Sequence, residues 1–141
     1  MLVFLMMGAI FFFSAQKGEV SKAQTKEVLS LVKIEKVEKS SGALNEVAVA
    51  FRKTLHIIEY SILGIFLSRA VSSHTKNNKR IFWISFVICF LYAISDEIHQ
   101  IFIPGRQMAV YDILLDTVGA FSGCLILAFF AHKKANKRRI T

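Results

Sequence analysis

Apolar residues fall into four long runs separated by polar stretches. The first run, residues 2–14, carries no charge and predicts a helix over residues 2–16, ended by the polar stretch that begins at Lys17. At ~1.5 Å per residue the run is about 20 Å long, against a hydrocarbon core of about 30 Å. Spanning therefore requires a thin bilayer, continuation through Gln16, or further chain upstream. A cleaved secretory leader is the rival reading, but no Lys or Arg precedes the run, and a basic start belongs to that pattern. The run is read as a membrane helix.

The other three runs, residues 51–71, 81–102 and 110–131, each have about the 20 residues that a spanning helix needs. The third reaches that length only by carrying Asp96, Glu97, His99 and Gln100, because its uninterrupted apolar part stops at Ser95. Pro104 and Gly105 then predict a tight turn, Pro fixing one turn position and Gly allowing positive φ at the next. The expected fold is all-α: a polytopic membrane helical bundle of about four transmembrane helices, forming one domain over residues 1–141. A connector (17–50) follows the first helix and a basic tail (132–141) the last. In the connector, Lys and Glu alternate with Val28, Leu31, Val32, Ile34 and Val37, the pattern of a weakly amphipathic, surface-lying segment. A Ser-Ser-Gly step at residues 40–42 interrupts it before the second run.

Composition strengthens the membrane reading. Over 141 residues, 54% are hydrophobic, 13 are Phe and one is Pro, which strains any water-soluble class. The net charge of +8 has to be located before it is interpreted. Four spans put the loop between the second and third helices on the same side as the tail. That side holds Arg69, Lys76, Lys79, Arg80, Lys133, Lys134, Lys137, Arg138 and Arg139 and no acid. The density of bases next to the helix ends places loop and tail in the cytoplasm, with the N-terminus also inside. The charge is thus an orientation signal, and no nucleic-acid partner is expected. Cys89 and Cys124 lie in apolar runs without CxxC or Cys/His spacing and read as buried, inert thiols. His74 and His132 read as solvated, and Trp83 and Tyr111 as interfacial aromatics.

The remaining polar residues gather at one depth. At about 100° per residue, Arg52, His56 and Glu59 lie within roughly 60° of one another. Asp96, His99 and Gln100 share a face of the third helix, while Glu97 points about 100° away. Asp112 and Asp116 lie on one stripe with Gly119 and Gly123, a small-xxx-small spacing that suits close packing within the bundle. All three sets occupy the same end of their helices. Ionisable groups cost about 2.5–3.5 kcal/mol each at the centre of a bilayer, so a shared polar pocket is expected. Tyr60 and Tyr92 are placed to hydrogen-bond into it.

Two strings, RKTLHIIEYSILG (52–64) and YAISDEIHQIFIPGRQMAVYDILLDTVGA (92–120), resemble the VanZ-like family of small multi-pass membrane proteins, named for a bacterial protein associated with teicoplanin resistance. The family pattern has RK followed by H and EY on one helix, then DExHQ, a PGR turn, and DxxxD with a following Gly. Arg52, Lys53, His56, Glu59, Tyr60, Asp96, Glu97, His99, Gln100, Pro104, Gly105, Arg106, Asp112, Asp116 and Gly119 match it. Leu55 and Ile57 depart from it, standing where Ala and Phe are frequent, and the FFFSAQ end of the first run is also similar to the family's first helix. The likeness is strong over about half the chain and loose over the connector. It implies a protein of the bacterial cell envelope, of Gram-positive type, and supplies no mechanism.

Two functions fit these residues. In the first, Arg52, Lys53 and Arg106, with Tyr60, Glu97 and Gln100 around them, bind or protect a lipid-linked envelope component at the outer leaflet, contributing to glycopeptide (teicoplanin) resistance. Membrane lipids, a lipid-linked wall precursor or the glycopeptide are then the partners. Arg suits phosphate and carboxylate because its planar fork matches their geometry. In the second, a membrane enzyme acts on an envelope lipid, with His56, Glu59, Asp96, His99, Asp112 and Asp116 as acid–base groups. No cofactor is assigned; those same imidazoles and carboxylates on facing helices leave a divalent metal open, Zn or Mn fitting the mixed donors. A purely structural latch, pairing Arg52 with an Asp, His56 with Glu59 and His99 with Asp116, competes with both. A transporter is disfavoured, since there is no internal repeat and little Pro to break helices.

Overall fold

A computed structural model of the chain describes residues 2–15, 23, 27, 41–106 and 108–140. Four helices are delineated among them: α1 (Leu2–Ser14), α2 (Ser41–Val71), α3 (Asn78–Gln100) and α4 (Val110–Ile140). The described residues contain no strand, and the chain is an all-helical membrane bundle. Three stretches are long and apolar enough to cross a bilayer, Val49–Val71, Asn78–Gln100 and Val110–Ala131, and α1 is shorter.

Two expected boundaries are corrected. The second helix starts at Ser41, ten residues before residue 51, so residues 41–50 belong to α2 and not to the connector. The rest of the connector, apart from residues 23 and 27, lies outside the described residues. The fourth helix does not stop near residue 131 but runs through the basic tail to Ile140. The first extension carries three Ala with Leu and Glu, the second three Lys and two Arg with Ala, residues that favour a helix whether or not it is buried. A search for membrane-length apolar runs therefore cuts these helices short.

Local chemistry sets the ends of α3. The side chain of Asn77 caps its start, its Oδ1 accepting from the amides of Lys79 (3.1 Å) and Arg80 (3.2 Å). Past its C-terminus the chain turns at Pro104 and Gly105, where Gly105 takes φ 79°. Three hydroxyls within the helices are satisfied locally. Thr54 donates to the Ala50 carbonyl, Thr117 to that of Ile113 and Ser122 to that of Val118, so none of these three faces hydrocarbon bare.

The bundle is held chiefly by α2 against α4, and the seam is tight because it is built from small residues. A Cβ added at Gly119 would overlap the Ile57 carbonyl oxygen, and one at Gly123 that of Ser61. From the other side, a Cβ at Gly64 would lie 2.7 Å from the Ala120 carbonyl. Ser61 fixes the register: its Oγ donates to its own helix at Ile57 O (2.7 Å) and across the seam to Gly119 O (2.9 Å). The Gly119–Gly123 pattern thus serves packing within the bundle. Ile10, Tyr60, Leu63, Leu67, Cys89, Ala93 and Ala120 form the core.

Helix α1 runs parallel to the last third of α3. Tyr92 donates to Met7 O (2.6 Å), the Phe11 ring stacks on His99 (centroids 4.0 Å apart) and Gln100 Nε2 donates to Ser14 Oγ (2.8 Å). Outward-facing positions are apolar, with Phe4 78%, Phe102 76% and Val110 67% exposed. In water such a surface would drive aggregation; against acyl chains it is the ordinary exterior. Trp83 and Tyr111 are both exposed near opposite ends of the bundle, and His74 is exposed in the basic loop.

Candidate functional site

At the end of the bundle opposite the basic loop, three helix ends and a turn enclose a cavity of about 260 Å³. Helix α2 brings Arg52, Lys53 and His56 to it, spaced so that one helical turn separates the cations from the imidazole. Glu97 and Gln100 come from the last turn of α3, Gly105 and Arg106 from the turn, and Asp112, Leu115 and Asp116 from the first two turns of α4. Polar groups distant in sequence share this depth because the Pro-Gly turn folds α4 back beside α3.

Lys53 is held at the rim, 3.4 Å from Asp112 Oδ1 and with its ammonium 4.5 Å from the centroid of the Tyr111 ring. Both partners of the ion pair are about one-third exposed, 36% and 37%, so the pair adds little stability. Arg106 is half-buried and donates from Nη1 to Gln100 Oε1 (3.2 Å). Burial pushes its guanidinium below the ordinary value, and the Arg52 guanidinium adds to that push, while Asp96, Glu97 and Asp112 pull the other way. Two guanidinium groups in the lining of one cavity thus act on each other, a condition that a bound anion would relieve.

The acidic groups divide by environment. Glu97 is buried, and its Oε2 accepts the Ala109 amide (3.0 Å) just before α4 begins, where a carboxylate complements the helix dipole. Asp96 and Asp116 are 0% and 1% exposed. Asp96 Oδ2 accepts from Gln100 (3.2 Å), whereas Asp96 Oδ1 and both oxygens of Asp116 make no hydrogen bond. His56 Nδ1 stands 3.7 Å from Asp116 Oδ1, beyond hydrogen-bond reach.

Nine of the residues singled out in the sequence line this cavity, but their pairings differ. The latch would join His56 to Glu59 and His99 to Asp116; instead His56 faces Asp116, Lys53 rather than Arg52 meets Asp112, and His99 packs under Phe11 of α1. Glu59, a turn deeper and half-buried, is not in the cavity lining. Tyr60 is fully buried in the core, its hydroxyl without a partner, and Tyr92 bonds to α1 rather than to the polar cluster. Wheel angles place residues on one helix but do not say which neighbour that face meets. The role of Glu97 as a staple for the turn was missed for the same reason. Its only sequence signal is an acid placed 12 residues before the residue that precedes a helix, across a Pro-Gly turn.

Comparison with known proteins gives a match to one family model, VanZ/LLP1, over residues 1–131. No curated protein and no solved structure matches the chain.

Proposed function

The chain belongs to the VanZ/LLP1 family, and on that footing we propose that it binds the anionic headgroup of a lipid-linked envelope component at the extracytoplasmic leaflet and so contributes to glycopeptide (teicoplanin) resistance. The observation that carries this reading is the presence of both Arg52 and Arg106 in the lining of a partly enclosed polar cavity at one end of the bundle. The cavity, at about 260 Å³, lies just below the roughly 300–1,000 Å³ of drug-sized pockets, so it suits a phosphate or carboxylate group and not a whole glycopeptide. The lipid chain then lies along the apolar outer faces. In this reading the basic loop and tail face the cytoplasm, which puts the cavity on the outer side.

The full chain in lipid nanodiscs provides the test, with a polyisoprenyl diphosphate as the probe and the corresponding polyisoprenol as the uncharged control. Saturable binding of the diphosphate alone, weakened at least tenfold by Arg106→Ala, is the expected result. Equal binding of both lipids, or equal binding by variant and wild type, refutes it. Teicoplanin susceptibility of cells expressing the two forms at matched levels then tests the cellular claim. The enzyme reading is favoured by the meeting of His56, Asp96 and Asp116, and release of inorganic phosphate from the bound lipid would mark it.

A further inference from the structure

Beside the cavity, three helices each present one potential ligand to a common point. His56 comes from α2, Asp96 from α3 and Asp116 from α4, and one donor atom of each lies within 4.8 Å of the others. A carboxylate sealed from water is costly unless something neutralises it, and two facing across one gap repel. Yet Asp96 and Asp116 are both essentially inaccessible, and four atoms of the trio, Asp96 Oδ1, Asp116 Oδ1, Asp116 Oδ2 and His56 Nδ1, have no hydrogen-bond partner. Buried polar atoms are normally satisfied, so several orphans converging on one point suggest a missing partner carrying positive charge.

The surroundings favour a ligand set. Gln100 Nε2 donates both to Asp96 Oδ2 (3.2 Å) and to Ser14 Oγ (2.8 Å), which pins one carboxylate oxygen from behind and leaves the other unengaged. Support of this kind orients metal-ligating carboxylates. The close α2–α4 seam holds His56 and Asp116 in place from below, since Ile57 and Gly119 are in backbone contact.

We propose that His56, Asp96 and Asp116 bind one divalent transition-metal ion, Zn²⁺ or Mn²⁺. One imidazole and two carboxylates suit these borderline cations, and the ion's two charges balance the two acids. With bonds of about 2.1 Å, tetrahedral donors stand about 3.4 Å apart, so small side-chain rotations close the 4.8 Å spread. Three protein ligands leave a coordination position open, and His56 and Asp116 also line the cavity, so that position is accessible from it. The proposal stands whether or not the headgroup reading does, because the ion needs no lipid to bind.

The test uses the full chain in detergent, stripped with a chelator and then titrated with Mn²⁺, Zn²⁺ and, as an optical probe, Co²⁺, with no lipid added. Expected are one bound equivalent per chain, a higher unfolding temperature, and pulsed electron paramagnetic resonance of bound Mn²⁺ showing coupling to one imidazole nitrogen. His56→Gln and Asp116→Asn should weaken binding by about 100-fold or more, beyond the 10–100-fold that loss of an outer-shell partner costs. Ser122→Ala, on the exposed side of α4 and away from the cavity, should leave it unchanged. Lack of saturable binding up to millimolar metal overturns the proposal, as does binding that both ligand variants retain. A proton shared between Asp96 and Asp116 would appear as stability independent of every metal, which also overturns it. If Asp116→Asn does not fold, His56→Gln and the nitrogen coupling decide.

Discussion

Replacing Gly119 with Ala tests the link between the helix seam and the site. The added Cβ would overlap the carbonyl oxygen of Ile57, which belongs to the α2 backbone and cannot rotate aside. To restore ordinary contact, the helices must part locally by roughly 1 Å. Overpacking of this kind costs about 1–3 kcal/mol. Stretching the 2.9 Å bond from Ser61 Oγ to Gly119 O adds about 0.6 kcal/mol, the average for such a bond between membrane helices. Better helix propensity for Ala returns up to about 1 kcal/mol. The net expectation is a loss of about 1–3 kcal/mol, with a second effect: Ile57 adjoins His56 and Gly119 lies one turn beyond Asp116, so the same parting widens the 3.7 Å approach of those two groups. Unfolding can be followed with a thiol-reactive dye, because Cys89 and Cys124 are free and buried and label only when the bundle opens. Gly8→Ala is the control, since a Cβ there meets nothing within 4 Å. If the Gly119 variant unfolds together with the Gly8 variant, the seam is looser than described and its link to the site fails.

Tyr92→Phe removes the hydroxyl that donates to Met7 O and should cost about 0.6–1.7 kcal/mol. Hydrogen exchange should rise in α1 more than in α2 to α4, and uniform exchange would argue against a local docking bond. Glu97→Ala should cost about 1–3 kcal/mol by leaving the Ala109 amide without its acceptor. Glu97→Gln keeps an acceptor oxygen and should lose clearly less by the same dye assay. A double-mutant cycle on Lys53 and Asp112 should return under about 1 kcal/mol, given a pair about one-third exposed at 3.4 Å, and a much larger value would show that lipid seals the rim.

What the sequence disclosed and what it withheld separate along physical lines. Apolar runs of membrane length with few charges announce α3 and the apolar parts of α2 and α4, because hydrocarbon tolerates little else. The buried state of Cys89 and Cys124 and the packing use of Gly119 and Gly123 were legible too, since small or apolar residues on an internal stripe have few other uses. Residues 41–50 and 132–140 were misassigned because helix continuation there rests on backbone propensity, which a hydropathy pattern does not report. The depth of the polar cluster followed from counting turns. Its partners did not, since the rotation of α3 that presents Asp96 and Glu97 inward and His99 to α1 is set by contacts between helices.

The bond from Glu97 to the Ala109 amide bears on which helices each part of the polar end depends on. Its two ends are 12 residues apart and flank the Pro-Gly turn, so the loop is short and closes at small entropic cost. Helices α3 and α4 thus satisfy one oxygen of a buried acid between themselves, without a contribution from α2. His56 and Asp116 have no such shortcut, being brought together only when α2 docks on α4. The contact pattern therefore separates a local unit from a long-range one: the turn closes within α3 and α4 alone, whereas the centre of the polar cluster requires α2 as well.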